Sequence, residues 1–467
     1  MNVPQRVVIL LLIGFCAWGC AQTVLAQQLT KQWVESVASP LVEKRVVDGL
    51  SVGYIEGDGF GIVHLGSAAE AGKKADNGTV YEIGSLSKVF TGLLLADAAL
   101  RDEINLYAAA AVANPAGIKL PSRDGRSIKW IDLSTHRSGL PRLPGNLMTA
   151  AASNPYRDYD SKHAAAFLQT YQLPRQPGKA QEYSNFGASV LGYLIAEKAG
   201  KSYQQLLQER IAGPLKMADC TVLLSDDQEK RFATPHDKYG SAVAPWEFAD
   251  LPGAGGIHAT LRDLMRFAKA QLEPPSGPIG EAIELAWKQH TEADETGPAM
   301  GLGWIIAGDG QTRLHNGQTG GTTSALFINR KLKCAVVILC NTSVKNEEID
   351  KLALQLVMKT AGVESQAPEE DADDAPEGLA IDEKLRRRLV GRYQLTPDFI
   401  FTVKDDEGRL LVTITNQPTN EVFPDSPTRW SYRGIDAAIE FKLPKTGRSR
   451  SLVLHQNGAS QTARRIE

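Results

Sequence analysis

Cysteine is scarce in this chain, five among 467 residues, and no CxxC or HExxH spacing occurs that would suggest a metal site. Excess charge is missing too. The 51 Lys and Arg against 54 Asp and Glu leave a net charge of -3, so nothing in the balance points to nucleic acid. No internal repeat is found. The only long apolar run lies near the N-terminus and extends about a dozen residues, short of the roughly 20 that span a membrane.

That run belongs to "MNVPQRVVILLLIGFCAWGCAQTVLAQQ", in which Arg6, an apolar stretch and then small residues make an export signal, residues 1–26. Val24-Leu25-Ala26 fits cleavage before Gln27. Ala17-Trp18-Gly19-Cys20 is a second cleavage signal that would leave a lipid anchor on Cys20 and so a membrane association. On either route the mature protein works outside the cytoplasm, periplasmic or secreted, or as an anchored lipoprotein. Three cysteines remain downstream. Cys334 and Cys340 lie six apart in "CAVVILC", which reads as one strand and holds them roughly 20 Å apart, too far to pair. A bridge from Cys220 to one of them stays open, but three buried thiols are favoured.

With 43% hydrophobic residues the chain can bury a large core and divides into more than one domain. "LSVGYIEGDGFGIVHLG" reads as a strand hairpin turning at Gly57-Asp58-Gly59. From about Ser85 to Gln271 the pattern is mostly helical, punctuated by prolines. Strands return in "GLGWIIAG", "TRLHNG", "TSALFINR" and "KCAVVILCN", followed by a helix from about Glu347 to Thr360. Strands at both ends with helices between them predict an α/β (α+β) domain over residues 27–363: one antiparallel sheet flanked by helices, beside an all-helical subdomain. The groove between those parts is the place to look for chemistry. Residues 364–383, "ESQAPEEDADDAPEGLAIDE", are acidic with no basic residue and form a linker. Residues 384–467 show short alternating strands such as "FIFTVKD" and "RLLVTIT", a small all-β domain.

Within "IGSLSKVFTGLLLA" a lysine opens an apolar run. If a helix starts near Ser85, then Ser85 and Lys88 share one face a turn apart, and the run after them makes the helix central and buried. Desolvation disfavours the ammonium and leaves a neutral amine, the proton acceptor that a serine nucleophile needs. Backbone N–H groups at the helix start suit an oxyanion. "QEYSNFGASVLGYLIAEKAG" places Tyr183 and Asn185 ahead of another apolar helix. A buried phenol relays protons, and an asparagine amide can bind a substrate carbonyl. "HNGQTGGTTSALFINR" supplies His315, and glycines including Gly317 that let a substrate lie close along an edge strand. The N–H of Gln318 there would complete an oxyanion hole with that of Ser85.

Ser85-Leu-Ser-Lys88, Tyr183-Ser-Asn185 and His315-Asn-Gly317, in this order, resemble the three motifs of the penicillin-binding-protein and serine β-lactamase superfamily, in its class C-like branch. The likeness covers roughly residues 30–360 and extends to "DLSTHRSGLPRLP", "LPGAGGIHATLRDLMRFA" and "MGLGWII". It implies a β-lactamase/transpeptidase-like fold. It also implies that Ser85 is the nucleophile, Lys88 and Tyr183 its proton-transfer partners, Asn185 a substrate-binding group and His315 the third-motif residue; with the glycine and N–H reading above, His315, Gly317 and Gln318 join Asn185 as the substrate-binding candidates. The residues after the linker are similar to small β-barrel-like accessory modules appended to such hydrolases. Where class C β-lactamases have lysine-threonine-glycine this chain has His315, mostly neutral at pH 7 and a weaker ligand for a carboxylate. The literal Lys445-Thr446-Gly447 reads instead as a hairpin turn.

The expectation is therefore an exported serine hydrolase that cleaves amide or ester bonds through an acyl-serine, of β-lactamase or D-alanyl-D-alanine peptidase type. Its substrate would be a small molecule or peptide: a β-lactam, a D-alanyl peptide or an ester. A carboxylesterase and a catalytically silent binding protein of the cell envelope are the alternatives. No cofactor or metal is implied, because serine, amine and phenol suffice.

Overall fold

The computed structural model describes residues 29–467 except 70–72, 148–153, 345, 364–380, 397–398, 407, 416–418, 433–436 and 457–458. The export signal and the acidic part of the linker therefore lie outside the described residues. The chain forms two compact units, dividing between Ser365 and Gln366.

In the first unit, helix α1 (Lys31–Glu43) leads into a hairpin of β1 (Gly49–Glu56) and β2 (Gly59–Gly66). Strands β3 (Ile305–Ile306), β4 (Thr312–Gln318), β5 (Thr323–Asn329) and β6 (Cys334–Cys340) follow some 240 residues later and complete the sheet in the order β2-β1-β6-β5-β4-β3. The first strand thus pairs antiparallel with the last, from Leu50 opposite Cys340 to Glu56 opposite Cys334. Alternation sorts β6 between two cores. Ala335, Val337 and Leu339 join the helical core, while Val336, Ile338 and both cysteines pack on the other face with Val34 of α1 and Leu352 and Leu356 of the terminal helix Asn346–Thr360. Burial on both faces is why "CAVVILC" is apolar throughout rather than alternating. Cys220, Cys334 and Cys340 are buried free thiols.

Helix α2 (Ser87–Leu100) is buried from Ser87 through Ala98 and forms the centre of the helical layer. Each of its enclosed leucines contributes about 1.5–3 kcal/mol by burial. It differs from expectation at its start: Ser85 lies in a 3₁₀ turn, Gly84–Leu86, and the α-helix proper begins at Ser87. Gly84 sets this turn. Its φ is +51°, and a Cβ there would stand 2.7 Å from the backbone nitrogen of Gln318.

The block read as helical also contains a strand, His258–Thr260, paired with Val80–Glu82 just ahead of the serine turn. Three residues with a partner so distant leave no local periodicity to read. "GLGWIIAG" yields only the two-residue β3, so the His315–Gln318 part of β4 forms an edge on that side.

The second unit is a closed barrel of eight antiparallel strands, from Gly391–Thr396 to Ala459–Arg465, preceded by a helix Glu383–Leu389. Tyr393, Phe401, Trp430 and Phe441 are among its enclosed side chains. Lys445, Thr446 and Gly447 sit on an exposed turn between the strands Ala437–Lys442 and Ser451–Gln456.

Candidate active site

The 3₁₀ turn presents Ser85 at a cavity of about 160 Å³ and places Lys88 one turn behind it. The Lys88 amine is buried, with Nζ 2.9 Å from Ser85 Oγ and donating to the Ala254 carbonyl at 2.8 Å. Burial holds its pKa well below the ordinary lysine value, and the positive charge of Arg142 lowers it further. A neutral amine has two N–H groups and one lone pair. With an N–H committed to Ala254, the lone pair is available for the serine proton.

Tyr183 ends the loop before helix α3 (Asn185–Ala199). Ser184 caps that helix: its Oγ accepts from the Gly187 N–H at 2.8 Å and donates to the Pro141 carbonyl at 2.7 Å. These bonds fix the phenol, which is hydrogen-bonded to Ser85 and whose pKa burial pushes up to about 12. Lys88 Nζ lies 4.9 Å from the centre of its ring. Asn185 lines the cavity beside Tyr156, to which it is hydrogen-bonded, and its Oδ1 is buried with no hydrogen-bond partner among the described residues.

The third motif is placed less directly. Gln318 lines the cavity, its side chain tied to Ser343 Oγ and the Val344 carbonyl, while its backbone nitrogen packs on Gly84. Gly317 meets the serine turn itself: a Cβ there would lie 2.1 Å from the Ile83 carbonyl oxygen and 3.0 Å from the Ser85 nitrogen. This glycine lets β4 pack on the turn that carries Ser85, rather than making room for substrate. His315 does not line the cavity. It is 1% exposed, shares Nδ1 with the Asn316 carbonyl at 2.6 Å, and its ring centre is 6.3 Å from that of Tyr183. Burial pulls its pKa down to about 3, so it is neutral at pH 7.

Several residues that frame the site were missed in the sequence. His136 is buried against Tyr183, ring centres 4.5 Å apart, and its Nδ1 accepts from the Ser184 N–H at 3.2 Å. Arg142 lines the cavity, lies 5.2 Å from the Tyr183 ring centre, and its carbonyl accepts from the Asn185 N–H at 3.1 Å. Tyr156, Trp246 and Phe248 build an aromatic wall, Tyr156 stacked on Phe248 at 4.8 Å. The available signal was "THRSGLPRLP", which carries His136 and Arg142 but announces no chemistry by itself.

Beneath the cavity, buried Glu82 accepts from the Trp246 N–H at 2.7 Å and pairs with Thr319 Oγ1 at 2.9 Å. Burial raises its pKa from 4.5 to about 7. A carboxyl raised on folding stabilises the fold fully below its unfolded pKa, and that contribution is lost as pH rises through the folded value. Between pH 5 and pH 8 the parent is expected to lose stability on the order of 3 kcal/mol from this group. Glu82→Gln, which mimics the protonated acid, should flatten the dependence measured by denaturant unfolding at the two pH values. An unchanged slope would show that Glu82 is not protonated on folding.

The family profile described as Beta-lactamase matches residues 34–359. The chain belongs to the β-lactamase family. Its relatives include a β-lactamase of Escherichia coli K12, 27% identical over 287 residues that cover 60% of this chain and 72% of that protein. The D-alanyl-D-alanine-carboxypeptidase/endopeptidase AmpH of the same organism is 31% identical over 246 residues, 49% of this chain and 60% of that protein. Penicillin-binding protein 4* of Bacillus subtilis is 24% identical over an alignment of 494 residues spanning 94% of this chain and 100% of its own. Among solved structures, a class C β-lactamase superposes with a TM-score of 0.61 at 20% identity, over 70% of this chain and 97% of that one. A β-lactamase/D-alanine carboxypeptidase of Pseudomonas syringae gives the same score over 98% of its chain. The β-lactamase-family unit thus has the β-lactamase/transpeptidase-like fold and is a serine hydrolase of the β-lactamase/DD-peptidase type. No described helix is long and apolar enough to cross a membrane.

Proposed function

We propose that Ser85 is the nucleophile of an exported acyl hydrolase and that Lys88 is its general base. The observation that carries this reading is the buried amine 2.9 Å from the serine oxygen. As Ser85 Oγ bonds to the substrate carbonyl carbon, its proton passes to Lys88 Nζ. The ammonium returns a proton, relayed by Tyr183, to the leaving nitrogen or oxygen, whose bond to carbon then breaks. Water repeats the sequence on the acyl-serine and releases the acid. The backbone N–H groups of Ser85 and Gln318 face the developing oxyanion, and the Asn185 amide orients the substrate.

His315 acts in this scheme as a positioning residue behind Tyr183. A neutral, enclosed imidazole offers no charge to a carboxylate, so the third motif gives neither a β-lactam nor a D-alanyl peptide an ionic hold, and an uncharged ester loses nothing by this. Export rests on the leader sequence, with cleavage after Ala26 or lipidation of Cys20 distinguishable by intact mass. The test of the activity is a panel of a fluorescent penicillin, a D-alanyl-D-alanine peptide and a p-nitrophenyl ester, read by product release and by the mass of the protein. A Ser85-linked acyl adduct absent from Ser85→Ala supports the reading. Equal labelling or turnover in Ser85→Ala overturns it, and neither an adduct nor product release with any member favours a silent binding protein.

A further inference from the structure

Among the described residues that line the cavity, only Arg142 carries a formal charge. Part of the remaining wall is built from the amides and hydroxyl of Asn316, Gln318, Thr319 and Asn346. Asn316 there donates to the buried carboxyl of Asp350 at 2.8 Å and accepts from Asn346 at 3.2 Å, so both groups of its amide are committed, and none of these side chains offers a positive charge. Lys88 is enclosed behind Ser85 with its partners satisfied, and His315 is sealed off. Arg142 is the reverse of both. Its side chain is exposed and forms no ion pair with a described residue. Its backbone is anchored by accepting from the N–H groups of Asn185 and Phe186, at 3.1 and 3.2 Å. An anchored backbone with an unpaired guanidinium beside the nucleophile is suited to a planar anion, which it can hold through two parallel hydrogen bonds.

We propose that Arg142 is the specificity-determining residue of this hydrolase and selects substrates bearing a carboxylate, held on the Tyr183–Asn185 side of Ser85. This rests on the acyl-hydrolase reading above, and it moves the recognition of anionic substrate from the third motif to the loop that precedes α3. The carboxylate can belong to the acyl group or to the leaving group, and paired ligands separate the two.

The first measurement needs no turnover. In the Ser85→Ala protein, calorimetry compares N-phenylglutaramate with neutral N-phenylbutyramide for the acyl side, and 4-carboxyphenyl with phenyl butyramide for the leaving side. At least one carboxylate ligand is expected to bind about tenfold more tightly than its neutral partner, and adding Arg142→Gln should remove that ratio. Arg142→Lys should restore part of it, since a point charge remains without the fork. In the parent protein the matching p-nitrophenyl monoglutarate and butyrate esters, and their carboxy-nitrophenyl counterparts, should show the same preference in kcat/KM. It should weaken as ionic strength rises. Equal binding of every pair, or a preference that survives Arg142→Gln, overturns the proposal. Because the binding arm is read in a protein without the serine hydroxyl, failure of the hydrolase reading leaves it interpretable, and failure of anion selection leaves ester turnover intact as evidence for the hydrolase.

Discussion

Ester turnover is expected to fall about 10³-fold or more in Lys88→Ala and in Ser85→Ala alike, with the double variant no lower than the worse single one. The two side chains work on one proton, so removing either leaves the other without a task. Additive losses would mean that Lys88 acts elsewhere. The pH profile of the parent gives an independent reading. The reaction needs the neutral amine, so activity is lost as pH falls through the Lys88 pKa, which burial and Arg142 have moved well below the usual lysine range. Tyr183, pushed up to about 12, keeps its proton across that range and cannot replace the amine as base. Removal of the Arg142 charge should move the acid limb to higher pH. His315, held near 3, should contribute no inflection around the ordinary histidine value. A limb near 6.5 that vanishes in His315→Asn would instead make the imidazole a participant.

Much of this site could be read from spacing because its parts are local. Ser85 and Lys88 are three residues apart, and a small polar residue before an apolar helix marks the Tyr183–Asn185 start. The 3₁₀ turn did not spoil the inference, since a tighter turn brings i and i+3 together even more directly. What escaped depends on long-range packing. Whether His315 faces substrate or core is decided by Tyr183 and Lys88, which lie more than a hundred residues away in sequence. Arg142 gains meaning only when its carbonyl receives the Asn185 N–H and carries its side chain to the cavity. Glu82 looks like the end of a short strand until Trp246 and Thr319 close over it. The single sheet was inferable from strands at the two ends of the unit, whereas the pairing of Val80–Glu82 with His258–Thr260 was not.

The tightest of these long-range contacts gives the other large effect. Gly317→Ala is expected to lower kcat about 10²-fold, with destabilisation of about 1–3 kcal/mol. The added methyl would stand 2.1 Å from the Ile83 carbonyl oxygen and 2.5 Å from Ser324 Oγ, and Ser324 Oγ donates to that same carbonyl at 2.8 Å. Neither neighbour can swing away: one is backbone, and the other is the hydroxyl that holds it. Strand β4 cannot retreat either, because Gly317 is paired with Ser324 in the sheet. The turn carrying Ser85 must therefore shift, taking the nucleophile away from Lys88 and Tyr183. Gly59→Ala on the β1–β2 hairpin is the control, since its methyl would meet only the Glu56 carbonyl at 3.4 Å. Unfolding midpoints and single-turnover acylation rates separate the two components. If Gly317→Ala acylates at the parent rate, the strand does not set the position of the serine, and the close approach between β4 and the turn is packing alone.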